Sequence, residues 1–249
     1  MDTYKNKVRV AAHRGNSKYY PENTILGFKE ALKLNVDQLE IDLHMTKDGE
    51  IIMMHDHKVD RTTNGTGLVV EYLLEDLQKL DASSIFAGQM GFNPIPTLRE
   101  YFELVKDSHI VTNIELKTGV NQYPGIEEKV LELIREFKLE DRIIISSFNH
   151  HSVMRMKKLA PELVYGFLAD TWILDAGAYT KSYDVPCYHP SVNMMTQEIV
   201  DELKANGRVI NVWTVNKEEQ IRDLYHKGID CVIGNFPDLT ASVLKELEG

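Results

Sequence analysis

Glu40-Ile41-Asp42-Leu43-His44-Met45-Thr46-Lys47-Asp48-Gly49-Glu50-Ile51-Ile52-Met53-Met54-His55-Asp56 reads as a strand, a tight turn and a returning strand. Apolar residues flank polar ones on both arms, and Lys47-Asp48-Gly49-Glu50 marks the reversal. With those four residues as the turn, Thr46 faces Ile51, His44 faces Met53 and Asp42 faces His55. Residues two apart on a strand share a face, so Glu40 and Asp42 project together. Two carboxylates and an imidazole are thereby gathered at one spot. Carboxylates at close range repel unless a cation or a shared proton compensates them. The stretch therefore reads as a hard-metal site with a general acid or base beside it. A solvated hairpin face is the plain alternative.

The surrounding chain alternates short apolar runs with amphipathic segments. The strands expected are Val8–Ala12, Gln38–Asp42, Ile110–Leu116, Arg142–Phe148, Val164–Leu168, Asp184–Tyr188, Arg208–Val215 and Ile229–Ile233. Helical patterns lie between most of them, at Thr24–Leu34, Ile126–Phe137, Ser152–Leu159, Thr196–Asn206 and Lys217–His226, with a last one at Leu239–Leu247. Such alternation implies an α/β protein with a parallel sheet. Eight strands in 249 residues favour a closed TIM (β/α)8 barrel over an open doubly wound sheet. On this count Ile51–Met54 is an extra strand. The rhythm breaks between His55 and Ile110: 60–67 reads as loop, Glu71–Leu80 as a helix, 87–96 as loop and Thr97–Lys106 as a helix. Residues 56–96 are accordingly expected to form a small insertion on the barrel's top face, within a single domain spanning 1–249.

Composition narrows the function classes. Hydrophobic residues make up 43% and charged residues 27%, ordinary for a globular chain. Thirty-eight acidic against 28 basic residues leave a net charge of −10, which argues against nucleic acid or an anionic membrane as the main partner. Cys187 and Cys231 are the only cysteines; both lie in apolar runs and are expected to be buried free thiols. Met1 to Arg9 is charged and lacks the apolar core of a secretory signal, and no apolar run approaches spanning length, so a cytoplasmic protein without stable membrane insertion is expected. The acidic surface leaves a homo-oligomer open.

In a β/α barrel the C-terminal ends of the strands line the active site. Those ends carry His13-Arg14-Gly15, Glu40-Ile41-Asp42, Glu115-Leu116-Lys117 and Trp213-Thr214-Val215-Asn216. Glu40, Asp42 and Glu115 are three carboxylates on neighbouring strands, a donor set suited to Mg²⁺ or Ca²⁺. His13 and His55 titrate near neutral pH and suit a displacement that needs a base at one oxygen and an acid at another. Arg14 and Lys117 supply fixed positive charge for a phosphoryl oxygen. Together these types point to cleavage of a phosphate ester.

His13-Arg14-Gly15, Pro21-Glu22-Asn23-Thr24, the block from Glu40 to His55, Glu115-Leu116-Lys117, Ser147-Phe148 and Val212-Trp213-Thr214-Val215-Asn216 occur in an order that resembles the glycerophosphodiester phosphodiesterase family, within the phospholipase-C-like phosphodiesterases. The resemblance spans nearly the whole chain. It implies a TIM barrel with a small insertion after the second catalytic histidine. It implies one divalent metal, Mg²⁺ or Ca²⁺ with Mn²⁺ as a third candidate, on Glu40, Asp42 and Glu115. It implies His13 and His55 as the acid–base pair, Arg14 and Lys117 on the phosphate, and Trp213 as a wall against the glycerol or alcohol. Glu22 belongs to a family motif and is placed behind the site, orienting His13 or Arg14. The expected reaction is hydrolysis of a small-molecule glycerophosphodiester to sn-glycerol 3-phosphate and an alcohol, by water or through a cyclic phosphate, in lipid and glycerol metabolism. A lysolipid-cleaving enzyme with the same site is the near rival; an exposed apolar insertion at 68–74 would favour it. A non-catalytic phosphodiester-binding barrel is the distant one. His44 is expected above the metal or in solvent, and Gly234-Asn235-Phe236-Pro237-Asp238 as a plain turn.

Overall fold

A computed structural model describes residues 7–249; of the N-terminal segment read above, residues 1–6 lie outside the described residues. Strand β1 (Arg9–His13) leads through helix α1 (Ile25–Leu32) to β2 (Gln38–Met45) and its return arm β3 (Ile51–Met53). One-turn helix α2 (Leu74–Leu77) and α3 (Leu98–Val105) precede β4 (Val111–Leu116). From there the β/α repeat is regular. Helix α4 (Ile126–Glu136) is followed by β5 (Ile143–Ser147), α5 (His150–Leu159), β6 (Val164–Ala169), α6 (Ala176–Ser182) and β7 (Cys187–Pro190). Then come α7 (Gln197–Ala205), β8 (Val209–Val212), α8 (Glu218–Lys227), β9 (Cys231–Gly234) and α9 (Pro237–Glu248). Eight strands pair in parallel in the order β1-β9-β8-β7-β6-β5-β4-β2, and β1 pairs with β2 to close the barrel. The fold is the expected TIM barrel. Among the described residues no helix is long and apolar enough to cross a membrane.

Alternation along the strands sorts side chains between two regions. Leu39, Ile41 and Leu43 of β2 join the apolar layer under the helices, together with Phe28, Tyr101, Ile114 and Leu116. Their neighbours Gln38, Glu40, Asp42 and His44 are also buried, on the other face of the strand. Register then sets depth: His13 pairs with Glu40, Glu40 with Asn113, and Asp42 with Glu115. His13, Glu40, Asp42 and Glu115 are thus brought to one level toward the C-terminal end of their strands. Cys187 and Cys231 are buried and free, as expected, and burial pushes both thiols up to about 12.

The hairpin register differs from the expected one by a single residue. Met45 pairs with Ile51, His44 with Ile52 and Leu43 with Met53, so Asp42 meets Met54 rather than His55. The reason is local. Gly49 takes φ +84, and its N–H bonds the Thr46 carbonyl, making a three-residue loop in which Thr46 pairs with Glu50. The Thr46 hydroxyl accepts from the Glu50 N–H at 2.9 Å and donates to Asp48 at 2.6 Å, locking that turn.

Two other segments depart from expectation. Glu71–Leu80 is not one helix: a 3-10 turn at Val69–Glu71 precedes the single turn of α2. Ile52 and Met54 on one face of the return arm, with Val59, Val69, Leu77, Ala82 and Ile95, form a second small apolar cluster. The apolar stretch 68–74 is spent on it: Val69 is buried, Tyr72 and Leu74 pack against the cluster, and Leu73 is the exposed member. The exposed apolar surface that would favour a lysolipid substrate is therefore not made by 68–74. The sixth parallel strand begins at Cys187, not Asp184, because α6 and a left-handed turn at Asp184 (φ +52) occupy the chain before it.

Candidate active site

The loop after β1 brings the first cation into place. Arg14 has φ +58 and Gly15 φ +85, a left-handed pair that doubles the chain back over the barrel mouth. A Cβ at Gly15 would lie 2.8 Å from the Gly27 carbonyl carbon, so only glycine fits against α1 there. The Arg14 N–H donates to Glu40 Oε2 at 3.1 Å, and its guanidinium Nε lies 3.2 Å from Asp42 Oδ2. Asn23, itself at φ +54, donates to Asp42 Oδ2 at 2.8 Å and accepts from the Asp42 N–H at 3.3 Å. Lys117, just past β4, donates to Glu115 Oε1 at 2.7 Å, with Asp42 Oδ1 at 3.6 Å.

Glu40, Asp42 and Glu115 are all buried, and each offers an oxygen within 4.8 Å of the others. Asp42 Oδ1 is buried without a hydrogen-bond partner. Burial, then the charge on Asp42, drives the Glu40 carboxyl well above its ordinary value. Burial likewise pushes Glu115 up to about 7, against the pull of Lys117. Asp42 goes the other way: burial opposes its ionisation, but Arg14 and then Lys117 hold it below the usual carboxylate range. Such a trio is stable only with protons or a cation among its oxygens. An orphan buried oxygen, a three-carboxylate donor set and short mutual distances fit a hard divalent ion.

Both predicted histidines reach the same mouth. His13 Nδ1 donates to Asn235 Oδ1 at 2.6 Å, and its Nε2 lies 3.9 Å from Glu40 Oε2. Burial, then Arg14, lowers the His13 pKa to about 3. His55 Nδ1 donates to Asp56 Oδ1 at 2.6 Å. Burial lowers the His55 pKa, with Asp42 and Asp56 opposing. Each imidazole therefore carries its proton on Nδ1, which leaves Nε2 as the unprotonated nitrogen of the neutral ring. The cavity, about 30 Å³, is lined by both histidines, Arg14, Glu40, Asn113, Glu115, Phe148, Leu168, Trp213 and Ile233. Trp213 is anchored by its indole N–H on the His189 carbonyl at 2.8 Å and meets Phe148 edge-on at 5.4 Å between centroids. A roomier groove beside Gly49, Thr97 and Lys129 lies away from the carboxylate trio.

All nine predicted site residues thus belong to one locality, and the structure adds to them. Glu22 accepts from Arg14 at 3.1 Å, which settles its neighbour as Arg14 rather than His13. His44 is not in solvent. It is fully buried, with Nδ1 on the Tyr123 hydroxyl at 2.9 Å and Nε2 on the His55 carbonyl at 3.2 Å. Asn235 is more than part of a turn, because it holds His13. Asn23, Asp56, Arg61, Asn113 and Phe148 were not assigned from sequence. Asp56, adjacent to His55, carried a readable signal, a carboxylate beside a catalytic-type histidine, and Asn23 and Phe148 lie inside the ordered motifs.

The sequence profile of the Glycerophosphoryl diester phosphodiesterase family matches residues 13–239. The chain is 40% identical over 240 residues to the glycerophosphodiester phosphodiesterase of Caldanaerobacter subterraneus subsp. tengcongensis, covering 96% of this chain and 99% of that one. It is 40% identical over 243 residues to the glycerophosphodiester phosphodiesterase of Bacillus altitudinis, covering 96% and 99%. Among solved structures, a phosphodiesterase from Oleispira antarctica in complex with the product sn-glycerol-3-phosphate superposes with a TM-score of 0.89 at 28% identity, covering 95% of this chain and 96% of that one. The glycerophosphodiester phosphodiesterase of Thermotoga maritima superposes with a TM-score of 0.78 at 26% identity, covering 96% and 99%.

Proposed function

The chain belongs to the glycerophosphodiester phosphodiesterase family and is an enzyme of that activity; from this premise we propose that it hydrolyses glycerophosphodiesters to sn-glycerol 3-phosphate and an alcohol with one divalent cation and the His13/His55 pair. The observation that carries the reading is the buried trio Glu40, Asp42 and Glu115, two of whose members line one cavity together with His13 and His55. The trio would hold Mg²⁺ or Ca²⁺, with Mn²⁺ the third choice. When bound, the cation supplies positive charge to a non-bridging phosphate oxygen.

The remaining work falls to the chain's own groups. Arg14 and Lys117 flank the trio and add fixed charge where the phosphoryl oxygens gather, which preorganises the site for charge developing in the transition state. One Nε2 takes the proton from the attacking oxygen, and the other protonates the departing alkoxide. Trp213 and Phe148 close one wall, where the glycerol or the leaving alcohol rests. Glu22 keeps Arg14 aimed at Asp42. The catalytic unit is read as a single domain over 1–249, with 56–96 inserted at its top face.

The deciding experiment is release of glycerol 3-phosphate from glycerophosphocholine by metal-stripped protein, with Mg²⁺, Ca²⁺ or Mn²⁺ returned one at a time. Restored release is expected. No release with any of the three would sink the metal-dependent reading.

Stability should report the same trio. A carboxyl whose folded pKa lies above its unfolded value stabilises the fold at low pH and loses that contribution as pH rises through the folded value. Glu115, ordinarily near 4.5, is pushed up to about 7, and Glu40 shifts in the same direction. The contribution of these carboxyls to the Tm of metal-stripped protein, read as the difference between the parent and E115Q, is therefore expected to fall between about pH 5 and about pH 7, while the buried His13, His44 and His189, lowered to about 3, add stability with rising pH over part of that interval. Added divalent cation must displace those protons, so its stabilising increment should grow over the same interval. Calorimetry with and without metal checks both slopes; an increment independent of pH would contradict the assignment of the trio.

A further inference from the structure

Arg61 lies in the 56–96 segment, outside the barrel strands, yet its guanidinium reaches both halves of the site. Its Nε and Nη2 bond the two Asp56 oxygens at 2.7 and 3.1 Å. Its Nη1 and Nη2 bond the two Glu22 oxygens at 2.8 and 2.7 Å. Asp56 in turn accepts from His55, and Glu22 from Arg14, which sits against Asp42. Hydrogen bonds and ion pairs run without a break from the neutral His55 through Asp56, Arg61, Glu22 and Arg14 to Asp42, and charge alternates from Asp56 onward. A planar fork with donors on two edges is what such a bridge requires; an ammonium has no equivalent geometry.

The backbone that carries Arg61 is held firmly. Val59, Thr62 and Thr63 are buried. The Thr63 N–H and hydroxyl both bond the Val59 carbonyl, at 3.1 and 2.8 Å, and Ser84 bonds the Thr62 carbonyl at 3.1 Å. Val59 belongs to the small apolar cluster built on the hairpin's return arm. Rigid backing matters because a catalytic group displaced by about 1 Å can lose about 10²-fold in rate.

We infer that Arg61 is a positioning residue for phosphodiester cleavage, and that the segment 56–96 serves catalysis by bracing His55 through Asp56 and Arg14 through Glu22. The inference rests on the acid–base role proposed for His55. It makes Arg61 more than a surface ion pair, since exposed pairs that position nothing contribute little.

The test uses the full chain with R61A, R61Q, R61K, D56N and the double variant R61Q/D56N, assayed for kcat and KM on glycerophosphocholine with the activating metal. R61Q is expected to lower kcat/KM by about 10²-fold. R61K, which keeps charge but not the two forks, should recover less than about a tenth of the parent value. The double variant should lose less than the product of the single losses, because both act through one network. Millimolar guanidinium should restore part of the turnover of R61A. A second readout needs no substrate: the His55 Nδ1 proton resonance, assigned by its loss in H55A, should move or broaden in R61Q and R61K while the metal-induced rise in Tm persists. Parent-like turnover in R61Q, multiplicative losses in the double variant, or an unmoved resonance would each overturn the inference. If the parent itself releases no glycerol 3-phosphate, the proposed reaction fails, and the resonance still reports whether Arg61 holds His55.

Discussion

His55→Ala is expected to lower kcat by about 10³-fold while divalent metal still binds. The imidazole reaches the cavity from just past the return arm of the hairpin, and its Nδ1 is committed to Asp56. Its Nε2 therefore has one task, proton transfer at a reacting oxygen. None of the three carboxylate oxygens of the trio is bonded to it, so its removal leaves the candidate metal ligands in place. The backbone is secured independently, since His44 holds the His55 carbonyl from below. Steady-state kinetics give the loss in kcat. Thermal shift with added Mg²⁺ or Mn²⁺ gives the retained binding. Near-parental turnover would remove His55 from the acid–base pair. Lost metal response with an intact fold would move it into the metal site.

Glu115→Gln should be as damaging to activity, about 10³-fold, and for the opposite reason. The side chain keeps its shape, and its oxygen can still accept from Lys117, which lies at 2.7 Å. With no cation present, burial pushes this carboxyl up to about 7, so its uncharged form is well populated near neutral pH. The amide resembles that form, so the metal-free fold should be as stable as the parent, or more so above neutral pH. What disappears is the negative charge that a divalent ion needs. Three readings should then coincide: little change in metal-free Tm, loss of the metal-induced increment, and loss of turnover that high metal concentration only partly restores. A parental metal increment in E115Q would exclude Glu115 as a ligand. Asp42 would be a poorer choice for this test. Its charge is pinned between Arg14, Lys117 and Asn23, and neutralising it would disturb the fold as well as the site.

Much of this architecture was legible before any coordinates. Alternating apolar and amphipathic segments specify a parallel sheet, because strands buried on both faces need crossover helices. Period-2 alternation placed Glu40 and Asp42 on one face. The strand-end rule placed His13, Glu115, Lys117 and Trp213 at the same mouth. These are local or topological regularities, written in spacing along the chain.

The sequence could not specify quantities set by a single residue's conformation or by groups distant along the chain. The hairpin register turned on Gly49 entering the left-handed region, which moved every cross-strand partner by one position. For that reason Asp42 meets Met54; separately, His44, expected above the metal or in solvent, is buried against Tyr123, 79 residues away. The partners of the two histidines show both cases. Asp56 is next to His55 and could be read, whereas Asn235 lies 222 positions from His13 and could not. Arg61 sits 39 residues from Glu22, in a stretch whose composition says only loop, and nothing in that spacing foretells a double fork. By itself the sequence determined the barrel, the family and the residue types at its mouth, because periodicity and ordered motifs are properties of the chain. The tertiary structure alone decided which proton each imidazole carries, what braces Arg14, and why three carboxylates endure together, because those follow from distances that exist only once the barrel has closed.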